Sequence, residues 1–191
     1  MASQEEMKSY ATYLAVNTPD SSKGRPVTEI AVFKLQDLYV ENHAAAMSEF
    51  ESQVISNTTP GSAYAQGIRK LAWGFSADSP DTLVWILDWE RIEDHWDFWL
   101  RPGFPPLMEA LSKLFQAGRP LVRHYDFGGD GMLDGKFQAA RVMAREGYAV
   151  DVNEDTWWCT LLGYETEAQA RADTGLSVSA VESHILQLRY A

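Results

Sequence analysis

Residues 82–115 read TLVWILDWERIEDHWDFWLRPGFPPLMEALSKLF, and they include four of the seven tryptophans of the chain. The first part, Leu83–Trp89, is almost continuously apolar and follows a serine–proline turn. A short apolar run bounded by turn residues is typical of a β-strand that is covered on both faces. Because strand side chains alternate, Trp85 lies on one face and Asp88 on the other.

The spacing of apolar residues then changes to that of a helix. Counting from Ile92, large apolar residues occupy positions i, i+4, i+7 and i+8, which predicts a helix over Ile92–Leu100. A Pro-Gly pair at 102–103 ends it. A second helix is predicted over Pro105–Phe115, since proline is tolerated in a first helical turn.

The flanking sequence completes a recognisable order of elements. Strands are predicted at Val27–Gln36, Leu71–Ser76 and Leu121–Phe127, and a helix near Glu41–Ser52. Together with the central stretch they give the order β-α-β-β-α-β, which is the ferredoxin-like arrangement. The predicted fold class is therefore α+β.

Three motifs in this region resemble a known family. They are VTEIAVFKL at 27–35, the Trp73-Gly74 pair, and the DWER…DFWLRP pattern at 88–102. They resemble the dimeric α/β-barrel superfamily, whose members include stress-responsive barrel proteins, olivetolic acid cyclase and antibiotic-biosynthesis monooxygenases. The resemblance covers residues 27–127. It implies a ligand pocket between the sheet and the helices.

The resemblance also implies roles for individual residues. Phe33 and Trp85 fall at pocket-lining positions, and Glu29 falls at the pocket floor. In olivetolic acid cyclase a tyrosine and a histidine do acid–base work, and the matching positions here are Phe98 and Phe104. Neither side chain can titrate, so the aldol-cyclase mechanism does not carry over.

Residues 1–26 and 128–191 lie outside the resemblance. The first segment is interpreted as an N-terminal extension or an extra strand. Within it, Tyr10–Val16 is predicted to be a strand or a short helix, and its composition slightly favours the strand. Residues 128–136 begin with Gly-Gly-Asp-Gly and are predicted to be a linker. Residues 137–191 are predicted to form a shortened second module.

The predicted second module echoes the first. Strands are expected at Phe137–Arg145, Trp157–Glu165 and Val181–Tyr190. A capping box at Thr166 opens a helix, and Gly175 closes it. This pattern suggests a degenerate internal duplication that stacks two antiparallel sheets within one chain. A homodimer is left open.

Composition excludes several classes of partner. The chain has 191 residues and a formal net charge of −11, which argues against nucleic acid and anionic membrane. Its single cysteine, Cys159, allows no intrachain disulfide and is interpreted as a small buried residue. With no visible leader or membrane span, the expected location is the cytoplasm.

The sequence predicts neither a metal nor an organic cofactor. None of the histidine pairs has metal-ligand spacing, and no nucleotide or flavin fingerprint occurs. Glu29 and His124 are the predicted catalytic residues, because a buried carboxyl has a raised pKa and histidine titrates near neutrality. The alternative is that both are structural. His95 is predicted to be a partly exposed helix residue.

Large aromatic side chains around the seam between sheet and helices suggest a wide apolar cavity for a flat, aromatic or polyene ligand. The alternative is that they are core. The predicted substrate-binding residues are Phe33, Trp85, Trp89, Phe98, Trp99, Phe104 and Met108.

These observations leave three functions open. The first is a cofactor-free cyclase or isomerase that acts on an aromatic or polyketide-like secondary metabolite. The second is a cofactor-free monooxygenase of the antibiotic-biosynthesis type. The third is a ligand-binding or stress-related barrel protein that is not an enzyme.

Overall fold

The computed structural model describes residues 4–118, 121–128, 143–173 and 182–191. The helices are α1 (Gln4–Asn17), α2 (Asp37–Val40), α3 (His43–Phe50), α4 (Ser56–Thr58), α5 (Ile92–Trp99), α6 (Phe104–Leu114) and α7 (Glu167–Ala172), with a π-helical segment at Glu51–Ile55. The strands are β1 (Val27–Lys34), β2 (Ile68–Phe75), β3 (Thr82–Trp89), β4 (Leu121–Tyr125), β5 (Met143–Tyr148), β6 (Trp158–Gly163) and β7 (Arg189–Tyr190).

The main sheet is antiparallel and has the strand order β4-β1-β3-β2-β7. Between residues 27 and 127 the elements follow the predicted β-α-β-β-α-β order, and their bounds differ from the prediction by a few residues. The α+β, ferredoxin-like fold class is therefore confirmed. None of the helices in the described segments is both long and apolar enough to cross a membrane.

One face of the sheet carries the main core. β3 is buried along its whole length, as its continuous apolar sequence predicts. Its residues Leu83, Trp85, Leu87 and Trp89 pack with the buried faces of α3, α5 and α6. The stripe predicted for α5 is observed in part: Ile92 and Trp96 are buried and Trp99 is partly buried, whereas Leu100 lies after the helix end and is exposed.

The opposite face of the sheet is covered by later parts of the chain. Ala72, Val84 and Ile86 form its buried centre. The apolar residues that pack on it from outside the sheet are Phe127, Leu161, Leu186 and Leu188. At Gly74 the C-terminal segment comes so close that an added Cβ would lie 2.6 Å from the Gln187 carbonyl oxygen.

The N-terminal segment differs from the prediction, because Tyr10–Val16 lies within helix α1 and is not a strand. Ala11 and Leu14 are buried against the core, and their i, i+3 spacing suits a helix. The weak β propensity of this segment is overridden by that packing.

The C-terminal region follows the prediction only in part. The strand expected over 181–190 is reduced to Arg189–Tyr190, and it pairs with β2 at the edge of the main sheet. β5 and β6 form a separate two-stranded sheet. The capping box at Thr166 is present. Residues 129–142, which include most of the predicted linker, and Gly175 lie outside the described residues. The internal duplication stays a prediction.

Replacing Gly74 with alanine should weaken the contact between β2 and the C-terminal segment, because the new methyl group meets backbone and cannot be accommodated by a side-chain rotation. We expect a loss of about 1–3 kcal/mol in the free energy of unfolding, measured by urea denaturation. Leu188→Ala disturbs the same contact, so the double variant should lose less than the two single losses added together. Full additivity would contradict this account.

Candidate functional site

Four titratable side chains meet at one end of the sheet. Glu29 on β1 stands directly opposite His124 on β4 in the antiparallel register. His95 comes from α5, which begins just after β3. Asp151 follows β5, where the Val150 N–H donates to the His124 carbonyl at 2.8 Å and so fixes the neighbouring carboxylate beside β4.

Three of these side chains form a continuous chain of hydrogen bonds that starts at Trp99. The Trp99 indole N–H donates to His95 Nε2 at 2.8 Å. His95 Nδ1 lies 2.7 Å from His124 Nε2. His124 Nδ1 lies 2.8 Å from Asp151 Oδ1, and the His124 backbone N–H donates to Asp151 Oδ2 at 2.6 Å.

The indole determines the direction of this chain. An indole N–H can only donate, so His95 Nε2 must accept, and a neutral His95 then carries its proton on Nδ1. That proton is donated to His124 Nε2, and His124 in turn donates from Nδ1 to Asp151. Both imidazoles are therefore neutral in this arrangement, and each has its single lone pair occupied.

Aromatic rings enclose the histidines. The His95 ring stacks with the Trp89 and Trp96 rings, whose centroids lie 4.8 Å and 5.1 Å from its own. Trp96 also meets the ring of His124 edge-on at 5.2 Å. His95 is 5% exposed and His124 is 2% exposed. The two imidazoles are therefore largely shielded from solvent, and electrostatic interactions between them are strong.

Glu29 lies beside both imidazoles without a short bond to either. Its Oε2 accepts a hydrogen bond from the Trp89 indole at 2.7 Å. The same oxygen lies 3.6 Å from His95 Nε2 and 3.8 Å from His124 Nε2. Burial raises the pKa of Glu29, against the lowering effects of His124 and the Trp89 hydrogen bond. Burial thus shifts the equilibrium of this carboxyl toward its protonated form.

The two histidines are shifted in opposite directions. Burial and then the charge of His124 lower the pKa of His95 well below its usual value. Burial also opposes a charge on His124, but the charge and hydrogen bond of Asp151 act against it, and the pKa of His124 is raised. The pKa of Asp151 is lowered, because His124 and its two hydrogen bonds outweigh burial. A proton that enters this chain of hydrogen bonds is therefore held at His124, next to Asp151.

Glu29, His95 and His124 are also the residues that could hold a metal ion. One donor atom from each lies within 4.8 Å of the other two. Two histidines and a carboxylate make a known ligand set, and Asp151 would support His124 as a second-sphere acceptor. However, the Trp99 indole and the His95 N–H already occupy the single lone pairs of the two imidazoles, so a metal would have to displace both donors.

The structure brings the two predicted catalytic residues together. The seven predicted substrate-binding residues are distributed differently. Phe33 and Trp85 are core residues that contact Phe115 and Phe50. Met108 is 38% exposed on α6. The assignment of this set to substrate stays a prediction.

The remaining predicted binding residues lie close to the histidines. Trp89 stacks on His95, and Trp99 bonds to it. Phe98 contacts Trp89 and Phe104, and Phe104 lies 6.2 Å from Trp99 between ring centroids. Two surface grooves, of about 570 and 230 Å³, lie elsewhere and are not lined by Glu29, His95 or His124.

Two residues of the site were missed in the sequence. His95 was expected to be partly exposed, but it is buried, and helical spacing contained the signal: it lies three residues after Ile92 and four before Trp99, on the apolar face. Asp151 was not singled out. It lies in an irregular segment whose approach to β4 depends on tertiary pairing, so local sequence gave no signal.

Comparison with known proteins supports the fold. No protein-family model matches the chain, and no curated protein matches it. A solved structure from Lactobacillus acidophilus, provisionally named a monooxygenase, is similar with a TM-score of 0.50 and 9% identity over 77% of this chain and 80% of that chain.

Two other solved structures are similar over different shares of the chain. One from Fusobacterium nucleatum, also provisionally named a monooxygenase, has a TM-score of 0.49 and 8% identity over 78% of this chain and 79% of that one. One from Bordetella bronchiseptica, provisionally named an antibiotic biosynthesis monooxygenase, has a TM-score of 0.40 and 22% identity. The match covers 52% of this chain and 94% of that chain. The similarity to the Lactobacillus acidophilus structure supports the fold alone.

Replacing Asp151 with asparagine should lower the pKa of His124, because the negative charge that stabilises its imidazolium is removed. The ¹⁵N chemical shifts of the His124 ring, followed through a pH titration, measure the change. Glu154→Gln is the matched control, since Glu154 lies three residues away and is paired with Arg123. An unchanged His124 titration in Asp151→Asn would contradict the assigned partnership.

Replacing Glu29 with glutamine should change how stability depends on pH. Burial raises the pKa of Glu29 above its unfolded value, so the folded wild type loses stability as the pH rises through the folded pKa. Glutamine keeps an acceptor for Trp89 but has no proton to lose. The stability of the variant relative to wild type should therefore rise with pH, as measured by urea unfolding between about pH 5 and 8.

Glu90→Gln replaces an exposed carboxyl with an amide in the same way and serves as the control for this series. A constant difference between Glu29→Gln and wild type across the pH range would show that Glu29 ionises as an ordinary surface carboxyl does.

Proposed function

We propose that this protein is an enzyme that transfers protons on an aromatic or polyketide-like substrate, as a cyclase or isomerase that needs no cofactor. The observation that carries the proposal is the buried chain from His95 through His124 to Asp151, with the Glu29 carboxyl 3.6 Å from His95 Nε2. Neighbouring groups whose pKa values are pushed in opposite directions are typical of acid–base sites.

His95 is the group that receives the proton from substrate. Its Nε2 has the lone pair that Trp99 occupies at rest, and a substrate gains access to it when that indole moves away. As Nε2 takes the substrate proton, the proton on Nδ1 passes to His124 Nε2 across 2.7 Å. His95 is neutral again, and the positive charge rests on His124 against Asp151.

Glu29 acts as the acid in the same step. Its protonated form is favoured by burial, so it can donate a hydrogen bond to a substrate carbonyl oxygen as that oxygen gains negative charge. Removal of a proton next to a carbonyl and its return at another position is an isomerisation. Attack by the resulting carbon on a second carbonyl of the same chain is a cyclisation.

The surroundings of the site favour an apolar substrate with extended π-bonding. Trp89, Trp96, Phe98 and Trp99 surround the acid–base groups, and they offer rings for stacking and few polar partners. Such surroundings hold a flexible or flat substrate by burial and shape, which favours a reactive conformer.

A second candidate function uses the same first step. The similar solved structures include proteins provisionally named monooxygenases. If His95 deprotonates a phenol, the ring carbon can react with O₂: one oxygen atom becomes a quinone carbonyl, the other leaves as water, and the substrate loses two hydrogens. This reaction also needs a base in an apolar site.

Variants of the proposed acid–base residues test the first proposal. Purified protein is incubated in D₂O with β-diketones and polyhydroxylated aromatic compounds, and exchange or rearrangement is followed by NMR after treatment with chelator. We expect His95→Asn, His124→Asn and Glu29→Gln each to lower the rate by about 10²–10⁴-fold, the usual contribution of a positioned acid or base. His184→Asn is the matched control, because His184 is bonded to Ser76 and Glu182 away from the site.

Parallel measurements separate the alternatives. If one O₂ is consumed for each product molecule formed, and the same variants lose this O₂ consumption, the monooxygenase is favoured. Binding without turnover of any compound would favour a ligand-binding protein. Wild-type rates of exchange or rearrangement in His95→Asn, His124→Asn and Glu29→Gln would contradict the assignment of the site.

A further inference from the structure

A row of stacked aromatic rings connects the buried histidines with the protein surface. Tyr13 and Tyr10, both on α1, are stacked with centroids 6.3 Å apart. Tyr10 stacks on Trp99 of α5 at 5.8 Å, with only 13° between the two planes. The Trp99 indole then donates to His95. Trp99 thus contacts both the buried His95 and the partly exposed Tyr10.

The ring that covers Trp99 comes from a lightly anchored element. Tyr10 is 43% exposed and Tyr13 is 47% exposed, although both are large aromatic residues. α1 buries two small or medium apolar side chains, Ala11 and Leu14, in the core. Half of the Tyr10 surface is therefore already in contact with water, and little core packing is lost if its ring moves aside.

We propose that the face of Trp99 now covered by Tyr10 is a binding site for a planar aromatic ring of the substrate, and that Tyr10 occupies this site until the substrate displaces it. The parallel arrangement of Tyr10 and Trp99 shows that the site accepts a flat six-membered ring with a hydroxyl group. Phe104 and Trp96 border the same indole, with centroids 6.2 and 5.2 Å away. The ligand class is a planar phenol or a fused aromatic.

The position of this site explains how substrate and base come together. Trp99 is the platform for the ring and also the donor that occupies His95 Nε2. A ring held there is separated only by the Trp99 indole from the His95 Nε2 lone pair, which the proposed reaction needs. When the substrate ring replaces Tyr10, Trp99 loses its contact with the α1 ring, and the indole with the substrate stacked on it can turn and release His95. The inference rests on the proposed function for the chemistry at His95, but not for the binding itself.

Binding of 2-naphthol, followed by isothermal titration calorimetry, tests the inference. In wild type the probe competes with Tyr10, so Tyr10→Ala should bind it roughly three- to tenfold more tightly, the equivalent of one lost aromatic pair. Alanine is a good helix former, so α1 is kept. Tyr10→Phe retains the stacking ring and should bind like wild type. Tyr13→Ala is the matched control, since Tyr13 stacks on Tyr10 and has no ring contact with Trp99 among those described.

Trp99 itself provides the second test. Tyr10→Ala/Trp99→Leu should lose the gained affinity, and the Trp99 indole N–H resonance of Tyr10→Ala should shift on titration with 2-naphthol. Equal affinity in Tyr10→Ala and Tyr13→Ala, or retained affinity without Trp99, would overturn the inference. Naphthol binding as expected without proton exchange in any substrate would instead contradict the proposed function and leave the binding site in place.

Discussion

An indole N–H can donate a hydrogen bond but cannot accept one, and this property of Trp99 sets the order of the whole site. It makes His95 Nε2 an acceptor, so the proton of neutral His95 lies on Nδ1. His124 Nε2 then accepts that proton's hydrogen bond. Asp151 completes the sequence at the other end. With both ends fixed, the two buried imidazoles have one neutral arrangement in which every nitrogen is satisfied.

The sheet provides the rigid support for this arrangement. Glu29 and His124 are direct partners across β1 and β4, so their distance is fixed by backbone pairing. His95 approaches from α5, whose position depends on the burial of Ile92 and Trp96. A change in the packing of α5 would therefore alter the distance between the two histidines more readily than a change within the sheet.

The sequence predicted those parts of the molecule that depend on local periodicity. The alternation and the helical spacing of residues 82–115 were sufficient to predict β3, α5 and α6 and, with the flanking strands, the ferredoxin-like order. Glu29 stood out because a carboxyl is unusual on an apolar strand face. The helix at residues 4–17 was considered for Tyr10–Val16 but not preferred over a strand, because its packing partner, α5, lies far away in sequence. Asp151 was missed for the same reason, since the pairing of Ala149 and Val150 with β4 brings it to His124.

The cover on the second sheet face has a consequence for how the molecule forms. Ile86 at the sheet centre and Leu186 in its cover belong to the same apolar cluster, although they are far apart in the chain. Closing so long a loop carries an entropic cost before any contact forms, so contacts of this kind tend to form late. Until then Val84 and Ile86 face water and can join another chain. The interval between forming the sheet and covering it is thus the stage at which this protein is most exposed to aggregation, and faster docking of residues 186–190 would shorten it.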